Sequence, residues 1–191
     1  MKEIIRNSFE RSIEVKKRIL ESTELLEKIE GAVELINGAL SDQGKVILCG
    51  NGGSASDALH IAGEMLGRFK KERGAIPAIV LNADVATMTA ISNDYGFEDV
   101  FKRQLMGLMR PEDVFVAIST SGNSKNVLAA IKWAHSANRK TIALLGKDGG
   151  DIRSYADISI IVPSDDTARI QESHITIGHI LCELVEMEFM K

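Results

Sequence analysis

The richest cluster of ligand-binding chemistry in the chain is Ser119-Thr120-Ser121-Gly122-Asn123-Ser124, which follows the apolar run Val114–Ile118 and opens an amphipathic segment at Lys125. Four hydroxyls, a glycine and a helix start bring side-chain donors, free backbone N–H groups and the positive end of a helix dipole to one point. That combination suits a phosphate. An ordinary helix N-cap needs only one such residue, Ser124 or Asn123. The loop lacks the Gly-Lys-Ser/Thr ending of a Walker A motif and the Gly-x-Gly-x-x-Gly of dinucleotide folds, so nucleotide readings lose weight.

A second loop, Cys49-Gly50-Asn51-Gly52-Gly53-Ser54-Ala55-Ser56-Asp57, leads into a segment carrying His60 and Glu64. Its glycines let backbone approach a ligand closely, and Asn51 and Ser54 offer polar groups to sugar hydroxyls. His60 and Glu64 stand four apart and share a helical face, where they can hold a metal or pass a proton. Alone, such a pair is equally an ordinary surface ion pair. Near the C-terminus, Arg169-Ile170-Gln171-Glu172-Ser173-His174 and then His179 stand among apolar residues.

These loops need strands and helices to hold them. The first forty residues have apolar positions at helical spacing, among them Ile13, Ile19, Leu26, Ile29, Val33, Ile36 and Leu40, and read as one long helix or two consecutive ones. Preceding the first strand, this extension (about residues 1–43) has no sheet to cross, so part of its apolar stripe is expected to meet a partner chain. From Lys45 the pattern turns to short apolar runs, at 46–49, 78–81, 114–118, 141–145 and 158–162. Helical segments at about 54–68, 84–92, 97–109, 124–138 and 167–190 alternate with them. This alternation predicts an α/β fold, a three-layer sandwich with a five-stranded parallel sheet, forming a single domain over 1–191. In open sheets of this kind ligands bind beyond the carboxyl ends of the strands, where both loops fall.

The bulk properties narrow the function classes. A chain of 191 residues with 45% hydrophobic and 26% charged residues has the composition of a globular protein, with no apolar run long enough to span a membrane. The N-terminus has no secretory pattern, so a cytoplasmic location is expected. Cys49 and Cys182 are too isolated for a disulfide framework or a cysteine zinc site and are expected to be buried thiols. A net charge of −4 argues against nucleic acid as a ligand; the one basic cluster is Arg68, Lys70, Lys71 and Arg73.

The loop Ser119–Ser124 resembles the phosphate loop of sugar isomerase (SIS) domains. Together with Gly50–Ala55, Asn93-Asp94 and Gln171…His179, the chain resembles the phosphoheptose isomerase family over nearly its full length. The resemblance implies conversion of sedoheptulose 7-phosphate to D-glycero-D-manno-heptose 7-phosphate, a step toward bacterial lipopolysaccharide or other surface glycans. It assigns one zinc ion per subunit to His60, Glu64, Gln171 and His179. Substrate contacts fall to Asn51, Gly52, Gly53, Glu64, Asn93, Asp94, Ser119, Thr120, Ser121, Ser124 and Gln171. Aldose–ketose isomerisation needs a base at carbon and an acid–base group at oxygen; Glu64 and His179 are the expected pair. The relatives also include a non-catalytic DnaA-binding initiator-associating adaptor, and the phosphate loop alone fits another phosphosugar isomerase or sensor. Retention of Glu64, Gln171 and His179 together favours the enzyme.

Gln171 and His179 are eight apart, about 12 Å of rise and roughly 80° of rotation on a continuous helix. Either the Gln side chain leans far along the helix, the helix breaks, or the two ligands come from different subunits. The last option predicts a homo-oligomer, a tetramer by family resemblance, with the site at an interface. His174 is expected to pack near the ligands and His135 to face solvent. Asp165 and Asp166 are expected to cap the last helix, with Asp165 within reach of substrate.

Overall fold

The computed structural model describes residues 1–190. The N-terminal extension resolves into two helices, α1 (Lys2–Glu21) and α2 (Thr23–Ser41), separated at Ser22. The Ser22 side chain accepts a hydrogen bond from Leu25 N and so starts the second helix. The strands are β1 (Val46–Gly50), β2 (Ala78–Val80), β3 (Val114–Ser119), β4 (Lys140–Gly146) and β5 (Ile158–Val162). They form one parallel sheet in the order β2-β1-β3-β4-β5. Five further helices join them: α3 (Gly53–Leu66), α4 (Val85–Tyr95), α5 (Val100–Leu108), α6 (Lys125–Ser136) and α7 (Thr167–Phe189). The helical segment expected over 97–109 begins instead with a short 3-10 turn, Phe97–Asp99, after Gly96 reverses the chain at φ +94°.

The two-residue period of the strands sorts the core into two layers. Val46, Leu48, Val116, Ile118, Ile142 and Leu144 face α2, α3 and α7, while Ile47, Cys49, Phe115, Ala117, Ala143 and Leu145 face α5 and α6. Both cysteines are buried, and desolvation holds both thiols above their ordinary range. The two N-terminal helices differ in how much of their apolar stripe they bury. α2 buries Ile29, Ala32, Val33, Ile36 and Ala39 in the core, because it lies directly against the sheet layer and α7. α1 buries only Val15 and leaves Ile4, Ile5, Phe9, Ile13 and Leu20 exposed. No helix among the described residues is long and apolar enough to cross a membrane.

Candidate active site

β1 and β3 are neighbours in the centre of the sheet, so their C-terminal loops open side by side. The two loops are tied by a reciprocal amide pair: Asn51 Nδ2 donates to Asn126 Oδ1 at 2.8 Å, and Asn126 Nδ2 donates to Asn51 Oδ1 at 3.0 Å. Asn82 fixes the end of β1 in the same way, accepting from Gly50 N and donating to Gly50 O. Gly52 adopts φ +56°, which a side-chain-bearing residue rarely takes.

In the loop after β3, the Ser119 hydroxyl is buried and stands 3.0 Å from Ser124 Oγ. Ser124 occupies the N-cap position of α6 yet makes no side-chain cap hydrogen bond. That hydroxyl therefore engages none of the first N–H groups of α6, of which Val127 N is taken instead by Asn126 Oδ1 at 2.9 Å, leaving those ahead of it for an anion. Thr120 and Ser121 are half-buried beside it. The loop is braced from behind by the turn after β4. Ile152 N donates to Gly122 O, and Asp151 N to Asn123 Oδ1. Gly122 has φ +65°, and a Cβ there would collide with the Gly149 carbonyl.

α3 and α7 pack together on one face of the sheet, and their crossing brings the proposed metal ligands into contact. His60 Nε2 lies 3.0 Å from His179 Nε2 and 3.3 Å from Glu64 Oε1. One ligand atom from each of His60, Glu64 and His179 falls within 4.8 Å of the others. Two imidazoles and a carboxylate are a donor set that zinc accepts, and three protein ligands leave a coordination position free. The residues fit the metal.

Gln171 is elsewhere. α7 is unbroken from Thr167 to Phe189, and the Gln171 amide lies against Gly53, so close that a Cβ on Gly53 would overlap it. Gly53 is seven residues before His60 on α3, about 10 Å along the axis. Within one chain, then, Gln171 faces the β1 loop and not the His60–Glu64–His179 cluster. Asn93 and Asp94 are exposed near the end of α4, Asn93 Nδ2 donating to Asp94 Oδ1. The segment just beyond returns to the phosphate loop, where Glu98 pairs with Lys125 at the start of α6 (3.0 Å).

His174 is fully buried, its Nε2 2.9 Å from Leu145 O, and its Nδ1 has no hydrogen-bond partner among the described residues. Burial lowers its pKa to about 4, against the opposing effect of the Leu145 carbonyl, so it is neutral at pH 7. His135 is exposed, with its ring edge-on to Tyr155. Asp166 caps α7 by accepting from Ala168 N.

Several contributors escaped sequence reasoning. Asn126 and Asn82 are ordinary residue types whose role appears only through their partners. Asp57 lies three residues before His60 on the same face of α3; burial raises its carboxyl to about 6 while His60 opposes the rise. Its Oδ2 is buried without a hydrogen-bond partner among the described residues. The i, i+3, i+7 spacing of Asp57, His60 and Glu64 was the available signal.

A family model described as SIS domain matches residues 9–146. The phosphoheptose isomerase of Helicobacter pylori (strain P12) is 50% identical over 187 residues, covering 98% of this chain and 96% of that protein. The phosphoheptose isomerase of a Nitratiruptor species is 59% identical over 151 residues, 79% of this chain and 81% of that one. The solved phosphoheptose isomerase GmhA of Neisseria gonorrhoeae superposes with a TM-score of 0.91 at 42% identity, covering 97% of this chain and 98% of that one. Similarity of this degree, over most of both partners in every pair, means that the chain belongs to the SIS domain family and, within it, to the phosphoheptose isomerases.

Proposed function

We propose that the chain converts sedoheptulose 7-phosphate to D-glycero-D-manno-heptose 7-phosphate through an enediol, supplying heptose for bacterial surface glycans. The observation that carries this reading is the meeting of His60, Glu64 and His179 at the α3–α7 crossing, in a fold whose hydroxyl-rich loop after β3 leaves the Ser124 side chain free of a cap bond.

Ser119, Thr120, Ser121, Ser124 and the first N–H groups of α6 hold the phosphate. Asn51, Gly52, Gly53, Asn93, Asp94 and Gln171 contact the sugar. Glu64 removes a proton from C1 of the open-chain ketose, leaving its bonding pair to form the enediol, and returns a proton to C2. His179 carries the proton of the C1 hydroxyl to the oxygen on C2. His60, Glu64 and His179 would hold a zinc ion, which when bound would supply Lewis-acid stabilisation of the negative charge that develops on the two oxygens.

The site is shared between subunits of a homo-oligomer, a tetramer, with Gln171 of one subunit completing the donor set of another. Two features support this. Gln171 sits about two helical turns from the histidines of its own chain. The exposed apolar residues of α1, with Ile180, Leu184 and Met187 of α7, supply a surface for a second copy.

The test is to incubate the purified chain with sedoheptulose 7-phosphate, with and without chelator, and follow the aldose by NMR. Aldose formation that stops on chelation supports the reading, and absence of turnover under both conditions removes it. Turnover insensitive to metal removal keeps the isomerase and discards the zinc.

A further inference from the structure

Glu186 is a carboxylate with 1% of its surface exposed, on α7, seven residues and so about two turns beyond His179 on the same face. Its oxygens accept from three consecutive backbone N–H groups: Phe69 N at 3.2 Å, Lys70 N at 2.9 Å and Lys71 N at 3.2 Å. Arg73 Nε lies 3.3 Å from Glu186 Oε1, with both side chains almost wholly buried. The Arg73 guanidinium in turn donates to the carbonyls of Glu64, Met65, Gly67 and Gly74. The first two of these belong to the last turn of α3, whose free carbonyls need a donor. Arg73 and Glu186 thus bolt the C-terminal end of the helix bearing His60 and Glu64 to the helix bearing His179.

The segment so held carries Phe69, whose ring stacks on the His179 imidazole with centroids 5.5 Å apart and planes 20° from parallel. His179 also meets His60 edge-on, with centroids 5.1 Å apart. A stacked ring together with a 3.0 Å contact at Nε2 restricts rotation of the imidazole. Burying a carboxylate and a guanidinium is costly, and an apolar pair of similar volume often serves stability as well. Burial works to raise the Glu186 carboxyl, and the three N–H groups and Arg73 outweigh it, holding the group below the usual range.

We propose that Glu186 and Arg73 are positioning residues for the reaction: by fixing the segment that carries Phe69, they set the orientation of His179 and its separation from His60. The proposal deepens the metal-assisted reading above and rests on it for its consequence in turnover, but its structural part is tested without metal.

The experiment uses Phe69→Ala, Glu186→Gln and Arg73→Lys in the full-length chain. In the metal-free protein the ring proton resonances of His179, shifted by the Phe69 ring current, are followed by NMR; with only four histidines, assignment by single substitution is direct. Zinc affinity is measured by competition with a chromogenic chelator, and kcat and KM with sedoheptulose 7-phosphate. Glu186→Gln and Arg73→Lys are each expected to move the His179 resonances toward those of Phe69→Ala, in which the ring current is absent. Each of the three variants is also expected to weaken zinc binding and lower kcat by about 10- to 100-fold, the usual cost of losing a partner that orients a ligand, with KM within about twofold. A Glu186→Gln protein that melts earlier yet keeps the His179 resonances and zinc affinity of the unaltered chain has lost only stability, and overturns the proposal. Should that buried variant fail to fold, Arg73→Lys decides by the same two readouts, and Phe69→Ala, at a half-buried position, by zinc affinity alone. If the unaltered chain takes up no zinc the metal reading fails, while the His179 resonances still decide this inference.

Discussion

His60 and His179 are 119 positions apart in sequence, yet their Nε2 atoms stand 3.0 Å from each other. At that distance one ring nitrogen donates and the other accepts, or else both turn lone pairs to a shared cation. The contact depends on how closely α3 and α7 approach. Gly178, next to His179, permits that approach: a Cβ there would lie 2.6 Å from Ile61 Cδ1.

Gly178→Ala therefore drives a wedge into the helix crossing. The expected outcome is a loss of about 1–3 kcal/mol in unfolding free energy, the usual range for overpacking, together with weaker zinc binding. Urea unfolding and a chelator competition check the two effects. A variant with unchanged zinc affinity would mean that the crossing does not set the site.

The phosphate loop should answer differently. Ser119→Ala removes the buried partner of Ser124, and Gly122→Ala places a methyl group against the Gly149 carbonyl at a positive φ. Both are expected to raise KM, Gly122→Ala by at least about tenfold, because a misplaced loop forfeits more than about 1.4 kcal/mol of phosphate binding. Zinc affinity should be unchanged. Steady-state kinetics beside the chelator competition separate this loop from the metal cluster.

The fully buried His174 gives stability a pH dependence. Its folded pKa, lowered to about 4, lies below the ordinary value of 6.5, so the unfolded chain binds the proton more readily. Its contribution is fully present above pH 6.5 and is lost as pH falls toward 4, on the order of 3 kcal/mol in all. Urea unfolding at pH 7 and pH 4.5 should show the fall. His174→Gln should flatten the slope over that window, and an unchanged slope would assign the acid sensitivity to other groups.

If the site is shared, two inactive variants can complement each other. Gln171→Ala and His179→Ala are each expected to be nearly inactive, and unfolding and refolding them together should restore part of the turnover through mixed oligomers with intact sites. No recovery, with mixed oligomers demonstrated, would place all ligands in one subunit.

Much of this was legible in the chain itself, for physical reasons. Strands β1, β3 and β4 are buried on both faces, so they appear as unbroken apolar runs, and the hydroxyl-rich turn after Ile118 stands out against them. The division of the N-terminal helices was not resolved, because it depends on the single cap at Ser22. Nor did periodicity distinguish α2, which packs on the sheet, from α1, which leaves most of its apolar stripe exposed. The cluster Arg68, Lys70, Lys71 and Arg73 looked uniformly basic, yet Arg73 is buried against a glutamate more than a hundred residues away. Spacing raised the difficulty with Gln171, but only the packing against Gly53 shows where its amide goes. Local pattern reports which face of an element is buried; it does not report which distant side chain lies on that face.

The most direct test of the account is the turnover of Glu64→Gln at saturating sedoheptulose 7-phosphate, measured by NMR with zinc content verified in the same sample. Glutamine keeps the shape of the side chain and an oxygen donor but cannot take the proton. We expect substrate binding to persist while kcat falls by about a thousandfold, within the range for loss of a general base. Turnover at the rate of the unaltered chain would contradict the assignment of Glu64 as the base at C1.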